Sequence, residues 1–256
     1  MKHPIALRRW FWAGSRVFRA LVPLLLAPAA CAGEADFAAQ RESLVREVER
    51  QVMETRHELG TDRLDPAVLA ALRTVPRHAF VPPALHAEAY GNHPLPIGAG
   101  QTISQPYVVA IMTQLLDVGP GDRVYELGTG SGYQAAVLAA MGVEVYSVEI
   151  VPKLADRARE TLEGLGYDKA RVRAGDGYLG WPEAAPFDGI VVTAAADHIP
   201  QPLIDQLATG GRLVMPLGAP GWVQQLVLME KTAEGKLERR DLLPVRFVPV
   251  TGPNVR

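Results

Sequence analysis

The residues with the clearest chemical potential form a glycine-rich loop, Glu126-Leu-Gly-Thr-Gly-Ser-Gly132, between a predicted strand and a predicted helix. Its glycines let the backbone turn tightly and approach a ligand that larger side chains would exclude. The spacing fails the dinucleotide fingerprint G-x-G-x-x-G, because Tyr133 stands where the last glycine is required. The loop therefore disfavours a nicotinamide-dependent dehydrogenase.

The acidic residue two positions before the first glycine gives the loop a charge preference. Glu126, at the end of a predicted strand, would repel a pyrophosphate and attract a cationic ligand. S-adenosylmethionine carries an ammonium and a sulfonium group and no phosphate. Glu126 thus favours this methyl donor over a dinucleotide.

Two further acids follow the next two predicted strands. Glu149 comes seventeen residues after Gly132, where a carboxylate can accept hydrogen bonds from both ribose hydroxyls of an adenosine. Asp176, within Gly175-Asp-Gly177, is placed to accept from the adenine amino group. Each acid taken alone could be a solvated loop residue. Because the carboxyl ends of successive parallel strands meet at one edge of a sheet, the three together predict a site for adenosine and a cation.

The charge distribution argues against a nucleic-acid partner. Five of the 26 Lys and Arg residues precede Glu34 and no acid does, so residues 34–256 hold 21 basic and 28 acidic residues, a formal charge of −7. Such an acidic body is a poor candidate for tracking a phosphate backbone. Cys31 is the only cysteine, which excludes a disulfide framework and a multi-cysteine zinc site. The histidines show no paired ligand spacing, so we predict no metal.

The elements that must position these residues alternate along the chain. With 256 residues and 48% hydrophobic content, the chain is suited to one large globular domain or two small ones. From residue 123 onward, strand-like and helix-like runs alternate, which indicates a parallel sheet covered by helices. The predicted strands are Arg123–Leu127, Val143–Val148, Ala170–Arg173, Gly189–Thr193 and Arg212–Pro216, and the predicted helices are Tyr133–Met141, Pro152–Leu165 and Gln201–Leu207. Gln224–Glu230 and Leu237–Val250 flank a turn and predict an added antiparallel hairpin.

The part of the chain before this sheet is predicted to be a helical cover. Apolar residues within Phe37–Leu59, Met53 among them, recur with the spacing of one amphipathic helix. A second helix is expected over Asp65–Val75, with its first residue as N-cap. Residues 77–106 contain five prolines and three glycines and are predicted to be a loop. Long loops inside compact domains are often functional.

Six segments of the chain match the motifs of one known family. They are Gly98-Ala-Gly-Gln-Thr-Ile-Ser-Gln-Pro106, Glu126-Leu-Gly-Thr-Gly-Ser-Gly-Tyr-Gln-Ala135, Gly175-Asp-Gly177, Pro186-Phe-Asp188, Val192-Thr-Ala-Ala195 and Val245-Arg-Phe-Val-Pro249. These segments resemble protein-L-isoaspartate O-methyltransferase over about residues 40–252. The resemblance implies an α/β fold with a doubly wound, mostly parallel, seven-strand methyltransferase sheet of Rossmann-like type. The chain departs from the family at Tyr125, where members usually have an aliphatic residue.

The resemblance implies methylation of the α-carboxyl group of isoaspartyl residues in damaged proteins, with S-adenosylmethionine as methyl donor. The ester then lets the neighbouring amide nitrogen close a succinimide, whose hydrolysis returns some normal aspartate. Such a transfer needs no general base, because a carboxylate is ionised at neutral pH and positioning and desolvation do most of the work. Ser104 matches the family's active-site serine, and its hydroxyl can donate to the substrate carboxylate. By spacing alone, Ser104 could instead only cap the helix that begins near Pro106.

The predicted site has three groups of residues. Ser104 is catalytic; Thr102, Ile103, Glu126, Gly128, Gly130, Gly132, Glu149, Asp176 and Gly177 bind the cofactor; Ser104, Arg246 and Val248 bind the substrate. For Arg246, a salt bridge on a sheet edge is the competing interpretation. We expect a monomer that acts on isoaspartyl proteins and peptides, with no nucleic-acid partner and no integral membrane domain.

Two other functions remain open from the sequence. A methyltransferase could act on another small carboxylate, a different small molecule or a nucleic acid, although the acidic body and the Gln101–Pro106 loop weigh against this. A binding module could have lost catalysis, although Ser104, Glu126, Glu149 and Asp176 are all present.

Residues 1–33 are predicted to be a signal-like or disordered N-terminal extension that precedes the methyltransferase domain, residues 34–256. A basic start, an apolar run of about 13 residues and an Ala30-Cys-Ala32 ending resemble a secretory signal peptide. The run is too short to span a bilayer as a helix, and Arg8-Arg9 resembles a twin-arginine signal. We predict a cytoplasmic protein, because the methyl donor is supplied there. The alternative is export, with a lipid anchor at Cys31.

Overall fold

The structure is a computed structural model that describes residues 29–219 and 221–253. The helices are α1 (Ala29–Glu54), α2 (Arg56–Leu59), α3 (Pro66–Thr74), α4 (Pro106–Leu116), α5 (Tyr133–Ala140), α6 (Pro152–Gly164) and α7 (Gln201–Gln206). The strands are β1 (Leu95–Gly98), β2 (Gln101–Ile103), β3 (Arg123–Leu127), β4 (Glu144–Glu149), β5 (Ala170–Ala174), β6 (Phe187–Val192), β7 (Leu207–Leu217), β8 (Gln224–Lys231) and β9 (Leu237–Val245). Most of the signal-like segment lies outside the described residues, and α1 begins inside it.

One seven-stranded sheet organises the molecule, with the strand order β5-β4-β3-β6-β7-β8-β9. The first five strands of that order run parallel, and β8 and β9 add an antiparallel hairpin. The predicted fold class is therefore confirmed. The strand order reverses at β3, which lies between β4 and β6. Open α/β sheets bind their ligands in the crevice at such a switch point.

The register of the central strands brings the predicted site residues to one level. Glu126 of β3 pairs with Ser147 of β4, and Leu127 pairs with both Val148 and Val192. The three strands are buried near these ends, as near-continuous apolar runs predict for a sheet covered on both faces. The side chains that follow the strands therefore emerge together at one crevice.

The helices cover the sheet with the faces that their sequences favour. On α6, the buried residues Leu154, Ala155, Ala158 and Leu162 recur with helical spacing. The predicted N-cap of α3 is confirmed, because the Asp65 carboxylate accepts a hydrogen bond from the backbone N–H of Ala67 at 2.7 Å. No helix among the described residues is both long enough and apolar enough to cross a membrane.

The predicted first helix is wrong in three details. The helical segment starts earlier than Phe37 and is divided at Thr55 into α1 and the short α2. Met53, predicted on the apolar face, is 47% exposed, because the buried side of α1 follows Leu44, Val45, Val48 and Val52 instead.

The segment 77–106, predicted from its composition to be a loop, is ordered by tertiary contacts. It contains two 3₁₀ helices, Arg77–Phe80 and Pro83–Glu88, and the antiparallel hairpin of β1 and β2. The fully buried Arg77 holds the segment together, since its guanidinium donates to the carbonyls of Ala89 (2.8 Å) and His93 (3.3 Å). The Tyr133 ring lies 4.9 Å from that guanidinium and provides a cation–π contact.

The last strands also differ from their predicted bounds. β7 begins at Leu207, directly after α7, whereas the predicted strand begins at Arg212. β9 ends at Val245 and not at Val250, because its partner β8 begins at Gln224, which pairs with Val245. The chain beyond Val245 passes the residues that follow the central strand β6, where Ala195 forms an isolated bridge with Pro249.

Tyr125 connects β3 to the turn that follows β5. Its ring is fully buried, and its hydroxyl donates to the Gly177 carbonyl at 2.7 Å. Burial raises the pKa of Tyr125 well above its usual value. The phenol therefore stays neutral and keeps its hydrogen-bond donor. Tyr125 thus makes a hydrogen bond that the aliphatic residue usual at this position in the family could not make.

We predict that Tyr125→Phe lowers the free energy of unfolding by about 1–3 kcal/mol, because the buried Gly177 carbonyl loses its partner. Urea unfolding followed by circular dichroism measures the change. Tyr167→Phe, which alters a half-buried tyrosine outside this contact, is the control. An unchanged midpoint for Tyr125→Phe would contradict the role of this hydrogen bond.

Candidate active site

The glycine loop has a backbone that other residues would strain. Gly128, Gly130 and Gly132 have φ values of +95°, +54° and +89°, in the left-handed region that glycine adopts without steric cost. A Cβ atom on Gly128 would lie 2.7 Å from Thr193 Oγ1. That hydroxyl lies 3.0 Å from the Leu127 carbonyl oxygen and 2.5 Å from that of Gly128, as a donor to both. Thr193, after β6, therefore fixes the start of the loop.

Gly132 has a packing function. It is the N-cap residue of α5, and an added Cβ would lie 3.3 Å from Leu162 and 3.4 Å from Ala158, both on α6. Gly132 does not line the cavity beside the loop. Gly132, predicted from the sequence to bind the cofactor, thus allows α5 and α6 to approach each other closely. The last glycine of such loops has the same packing function.

Glu126 is a fully buried acid with one unpartnered oxygen. Its Oε2 accepts a hydrogen bond from Ser147 Oγ at 2.6 Å, and Ser147 Oγ lies 2.5 Å from Thr129 Oγ1. Its Oε1 has no hydrogen-bond partner among the described residues. Burial raises the pKa of Glu126 to about 8; the Ser147 hydrogen bond opposes this shift, and the charge of Glu149 adds to it.

Glu149 is held rigidly at the end of β4. Its Oε2 accepts from the Gly130 N–H at 2.7 Å, and its Oε1 accepts from the Val151 N–H at 3.0 Å. Each carboxylate oxygen has more than one lone-pair direction. The side chain can therefore accept hydrogen bonds from a ligand while it holds the glycine loop in place.

Asp176 and Gly177 follow β5 but take different positions. The Asp176 carboxylate accepts from the Tyr178 N–H at 2.9 Å and caps a short 3₁₀ turn. Gly177 lines the cavity, whereas Asp176 does not. A Cβ on Gly177 would lie 2.5 Å from Leu127 Cγ, so glycine is required for the turn to approach β3.

These residues surround a cavity of about 720 Å³, including its open mouth, at the carboxyl end of the sheet. Of the predicted site, the cavity is lined by Thr102, Ile103, Ser104, Glu126, Gly128, Gly130, Glu149, Gly177 and Val248. Gly132, Asp176 and Arg246 lie outside its lining. Sequence reasoning missed the contribution of Thr193, although the Val192-Thr-Ala-Ala195 motif contains it. It also missed Val250 and Thr251, which line the cavity from the C-terminal segment.

A second cavity, which we call the groove, lies beside the first. It is bordered by α1, α2, α4 and the segment after β9, with Tyr107, Val223, Arg246 and Phe247 among its lining residues. Thr102, Ser104, Thr193 and Val248 line both cavities. The two spaces therefore meet at Ser104 and its neighbours.

The Ser104 hydroxyl is free for a ligand. It lies between β2 and α4, and it makes no hydrogen bond to any described residue. The helix-capping interpretation is wrong, because the N-cap residue of α4 is Gln105 and the Ser104 side chain makes no hydrogen bond to the first turn of the helix. Ser104 thus presents a donor at the boundary of the two cavities.

Hydrogen bonds from α1 fix the segment that contains Ser104. Gln51 Oε1 accepts from Asn92 Nδ2 at 2.8 Å and from Gln105 Nε2 at 3.3 Å. Asn92 Oδ1 accepts from the Tyr107 N–H at 3.0 Å, and the Tyr107 hydroxyl lies 2.6 Å from Thr55 Oγ1. The helical cover therefore positions the start of α4 from outside the sheet.

The donor set fits S-adenosylmethionine. Glu126 Oε1 is a buried acceptor without a partner, which an ammonium group would satisfy, and Glu149 can accept from ribose hydroxyls. Within the described part of the chain, no group of three or more His, Cys, Asp and Glu residues could hold a metal ion. The sheet order and this cavity together define an S-adenosylmethionine-dependent methyltransferase.

Comparison with known proteins identifies the family. Residues 47–254 match the model of the protein-L-isoaspartate(D-aspartate) O-methyltransferase family, and the chain belongs to this family. It is 57% identical over 236 residues to protein-L-isoaspartate O-methyltransferase 2 of Syntrophobacter fumaroxidans, covering 91% of this chain and 96% of that protein. It is 60% identical over 185 residues to protein-L-isoaspartate O-methyltransferase of Gloeobacter violaceus, covering 72% of this chain and 90% of that protein.

Solved structures agree with this assignment. One, of a protein-L-isoaspartate O-methyltransferase, superposes with a TM-score of 0.73 at 29% identity, over 84% of this chain and 67% of that one. Another is the structure of a putative protein-L-isoaspartate O-methyltransferase from Plasmodium falciparum in complex with S-adenosyl-L-homocysteine. It superposes with a TM-score of 0.68 at 25% identity, over 82% of this chain and 98% of that one.

We predict that the affinity for S-adenosylmethionine increases with pH between about 6 and 8. Below its pKa of about 8, Glu126 is protonated in the free protein, and a cationic ligand favours the ionised form. Binding therefore releases a proton, and the affinity rises by up to about tenfold per pH unit. Calorimetric titrations at several pH values measure this, and Glu126→Gln abolishes the dependence.

Asp168→Asn serves as the control for that measurement, because Asp168 is exposed and lines neither cavity. It should retain the pH dependence of the unmodified protein. An affinity that stays constant from pH 6 to 8 in the unmodified protein would contradict a protonated Glu126.

Proposed function

We propose that this chain transfers the methyl group of S-adenosylmethionine to the α-carboxyl of L-isoaspartyl residues, with Ser104 as its catalytic residue. The observation that carries the proposal is the meeting of two cavities at a serine hydroxyl with no partner among the described residues. One cavity has the acids that suit an adenosine and a cation. The other is an open groove that could receive a polypeptide.

The cofactor is assigned to the cavity at the glycine loop. Glu126 Oε1 receives the ammonium group, and Glu149 accepts from the ribose hydroxyls. Asp176, which precedes the lining residue Gly177 but lies outside the cavity lining itself, is assigned to the adenine amino group. Thr102, Ile103, Gly128 and Gly130 shape the walls, and Gly132 holds α5 against α6.

The substrate carboxylate is assigned to the boundary of the cavities. S-adenosylmethionine supplies a methyl group on a positively charged sulfur. Ser104 Oγ donates a hydrogen bond to one carboxylate oxygen and orients the other for in-line attack. No base is needed, because the carboxylate is already ionised. The walls of Ile103 and Val248 exclude water, which favours a step in which opposite charges neutralise each other.

The groove is assigned to the polypeptide that carries the isoaspartyl residue. Its only charged lining residues among those described are Glu58 and Arg246. Arg246 is exposed and makes no ion pair with a described residue. This argues against the competing interpretation, in which Arg246 forms a salt bridge on a sheet edge. We assign Arg246 to the substrate, and we assign the side chain of Val248 to the wall between substrate and cofactor.

The test is methyl transfer from labelled S-adenosylmethionine to a matched pair of peptides, one isoaspartyl and one aspartyl. We expect base-labile label on the isoaspartyl peptide alone. Ser104→Ala should lower kcat by about a hundredfold, as the loss of one preorganised donor does, with little change in cofactor affinity. Ser43→Ala, at an exposed position on α1, is the control.

Three outcomes would overturn parts of this proposal. Label on both peptides would remove the isoaspartyl specificity. Bound cofactor with label on neither peptide would favour another small carboxylate as substrate, or a binding module. Full activity in Ser104→Ala would remove the assigned role of the serine.

We also propose that the chain acts in the cytoplasm, because its methyl donor is supplied there. Its proposed oligomeric state is a monomer. A fusion of residues 1–32 to a reporter enzyme that is active only outside the cytoplasm should then be silent. Reporter activity would support export and the alternative of a lipid anchor at Cys31. Light scattering of the purified chain measures the oligomeric state.

A further inference from the structure

Two adjacent apolar side chains are exposed beside the groove. Among the described residues, the large apolar side chains with high exposure are Met53, Leu165, Leu179, Trp222 and Val223. Trp222 is the most exposed at 76%, and Val223 is 52% exposed. We call Trp222 and Val223 the apolar tip; it lies between β7 and β8. Single exposed apolar residues are common, but adjacent ones at the mouth of a cavity are a candidate contact surface.

The apolar tip is held in place by Gln224. This side chain is almost fully buried, and its Nε2 donates to the carbonyls of Trp222 (2.6 Å) and Ala219 (3.3 Å). Its Oε1 accepts from the Phe247 N–H at 2.9 Å. Because Phe247 lines the groove, one buried amide ties the tip to the groove wall. The backbone that carries the exposed Trp222 is therefore anchored to the groove wall.

The tip is continuous with the groove. Val223 itself lines the groove, together with Phe247 and Ser104. The sequence from Leu217 to Gln225 contains no charged residue. A chain with its isoaspartyl residue at Ser104 would thus leave the groove across an uncharged, apolar surface.

The chemistry of the substrate indicates what meets this surface. An isoaspartyl carboxylate can reach Ser104 only where the polypeptide is locally unfolded, since the groove must admit its backbone. Locally unfolded segments expose apolar side chains that the native fold buries. Tryptophan presents a large rigid contact area and is enriched among residues that dominate binding energies.

We propose that the apolar tip is a specificity surface that binds apolar side chains flanking the isoaspartyl residue in an unfolded polypeptide. The inference rests on the proposed function for the position of the isoaspartyl residue. It adds that the enzyme discriminates between damaged sites by the apolar character of their neighbours. Trp222 acts on binding and not on the transfer step.

The test uses two isoaspartyl peptides of equal length and charge, with leucine and valine on both sides of the isoaspartyl residue in one and serine in the other. For Trp222→Ala, we expect KM for the apolar-flanked peptide to rise about tenfold, with kcat unchanged. KM for the serine-flanked peptide should stay within about twofold. Trp222→Phe should restore most of the preference, because it keeps an aromatic surface.

Leu165→Ala is the matched control, since Leu165 is an exposed leucine at the end of α6 and lines neither cavity. It should leave the KM values of both peptides unchanged. Equal effects of Trp222→Ala on the two peptides, or no effect on either, would overturn the inference. So would an unmodified enzyme that shows no preference for apolar flanks.

A separate binding measurement distinguishes this inference from the proposed function. The affinities of both peptides, fluorescently labelled, are measured by anisotropy in the presence of S-adenosylhomocysteine. If the unmodified chain methylates neither peptide, the proposed function fails and the affinities still decide the inference. Tighter binding of the apolar-flanked peptide, lost in Trp222→Ala, supports it, and equal affinities refute it.

Discussion

The hydrogen bonds between the Glu149 carboxylate and the backbone N–H groups of Gly130 and Val151 are the constraint on which the site depends. They join the end of β4 to the glycine loop that follows β3. A carboxylate that accepts from backbone donors at 2.7 and 3.0 Å is fixed in orientation before any ligand arrives. The loop is thus a preorganised surface, and left-handed glycines allow it to stay so close to the strand ends.

Around this constraint, the protein separates two tasks between two parts of the chain. The sheet supplies acids and glycines, all from strand ends that the parallel register aligns. The cover supplies Ser104, whose segment is held by Gln51, Asn92 and the buried Arg77 through side-chain hydrogen bonds. Because different elements supply each set, the boundary between them forms a natural place for two ligands to meet.

The sequence predicts the sheet side well and the segment 77–106 of the cover poorly, for a physical reason. Strand and helix periodicity and the glycine spacing are local signals, and they locate Glu126, Glu149 and the glycine loop. The segment 77–106 is ordered by contacts that are distant in sequence, such as the guanidinium of Arg77 against the carbonyl of His93. No local pattern contains them, so a proline-rich composition predicts only a loop.

The same limit explains which site residues the sequence could not place. It identifies Asp176 as an acid after a strand, but only the structure shows that its carboxylate caps a turn and that Gly177 borders the cavity. The capping interpretation of Ser104 was likewise consistent with spacing. It fails because Gln105, and not Ser104, is the N-cap residue of α4, which begins at Pro106.

The buried state of Glu126 also bears on how the site handles charge. A neutral carboxyl is the less costly form for a fully buried acid, and its oxygen Oε1 has no donor among the described residues. A cationic ligand supplies both the missing donor and the compensating charge. The proposed preference of the cavity for positive charge therefore rests on the cost of burying Glu126 without a partner for Oε1. The hydroxyls of Ser147 and Thr129 keep the second oxygen in place. A ligand without a hydrogen-bond donor at this position would leave Oε1 unpartnered, so the proposed fit depends on the placement of the ligand's polar groups as well as on its shape.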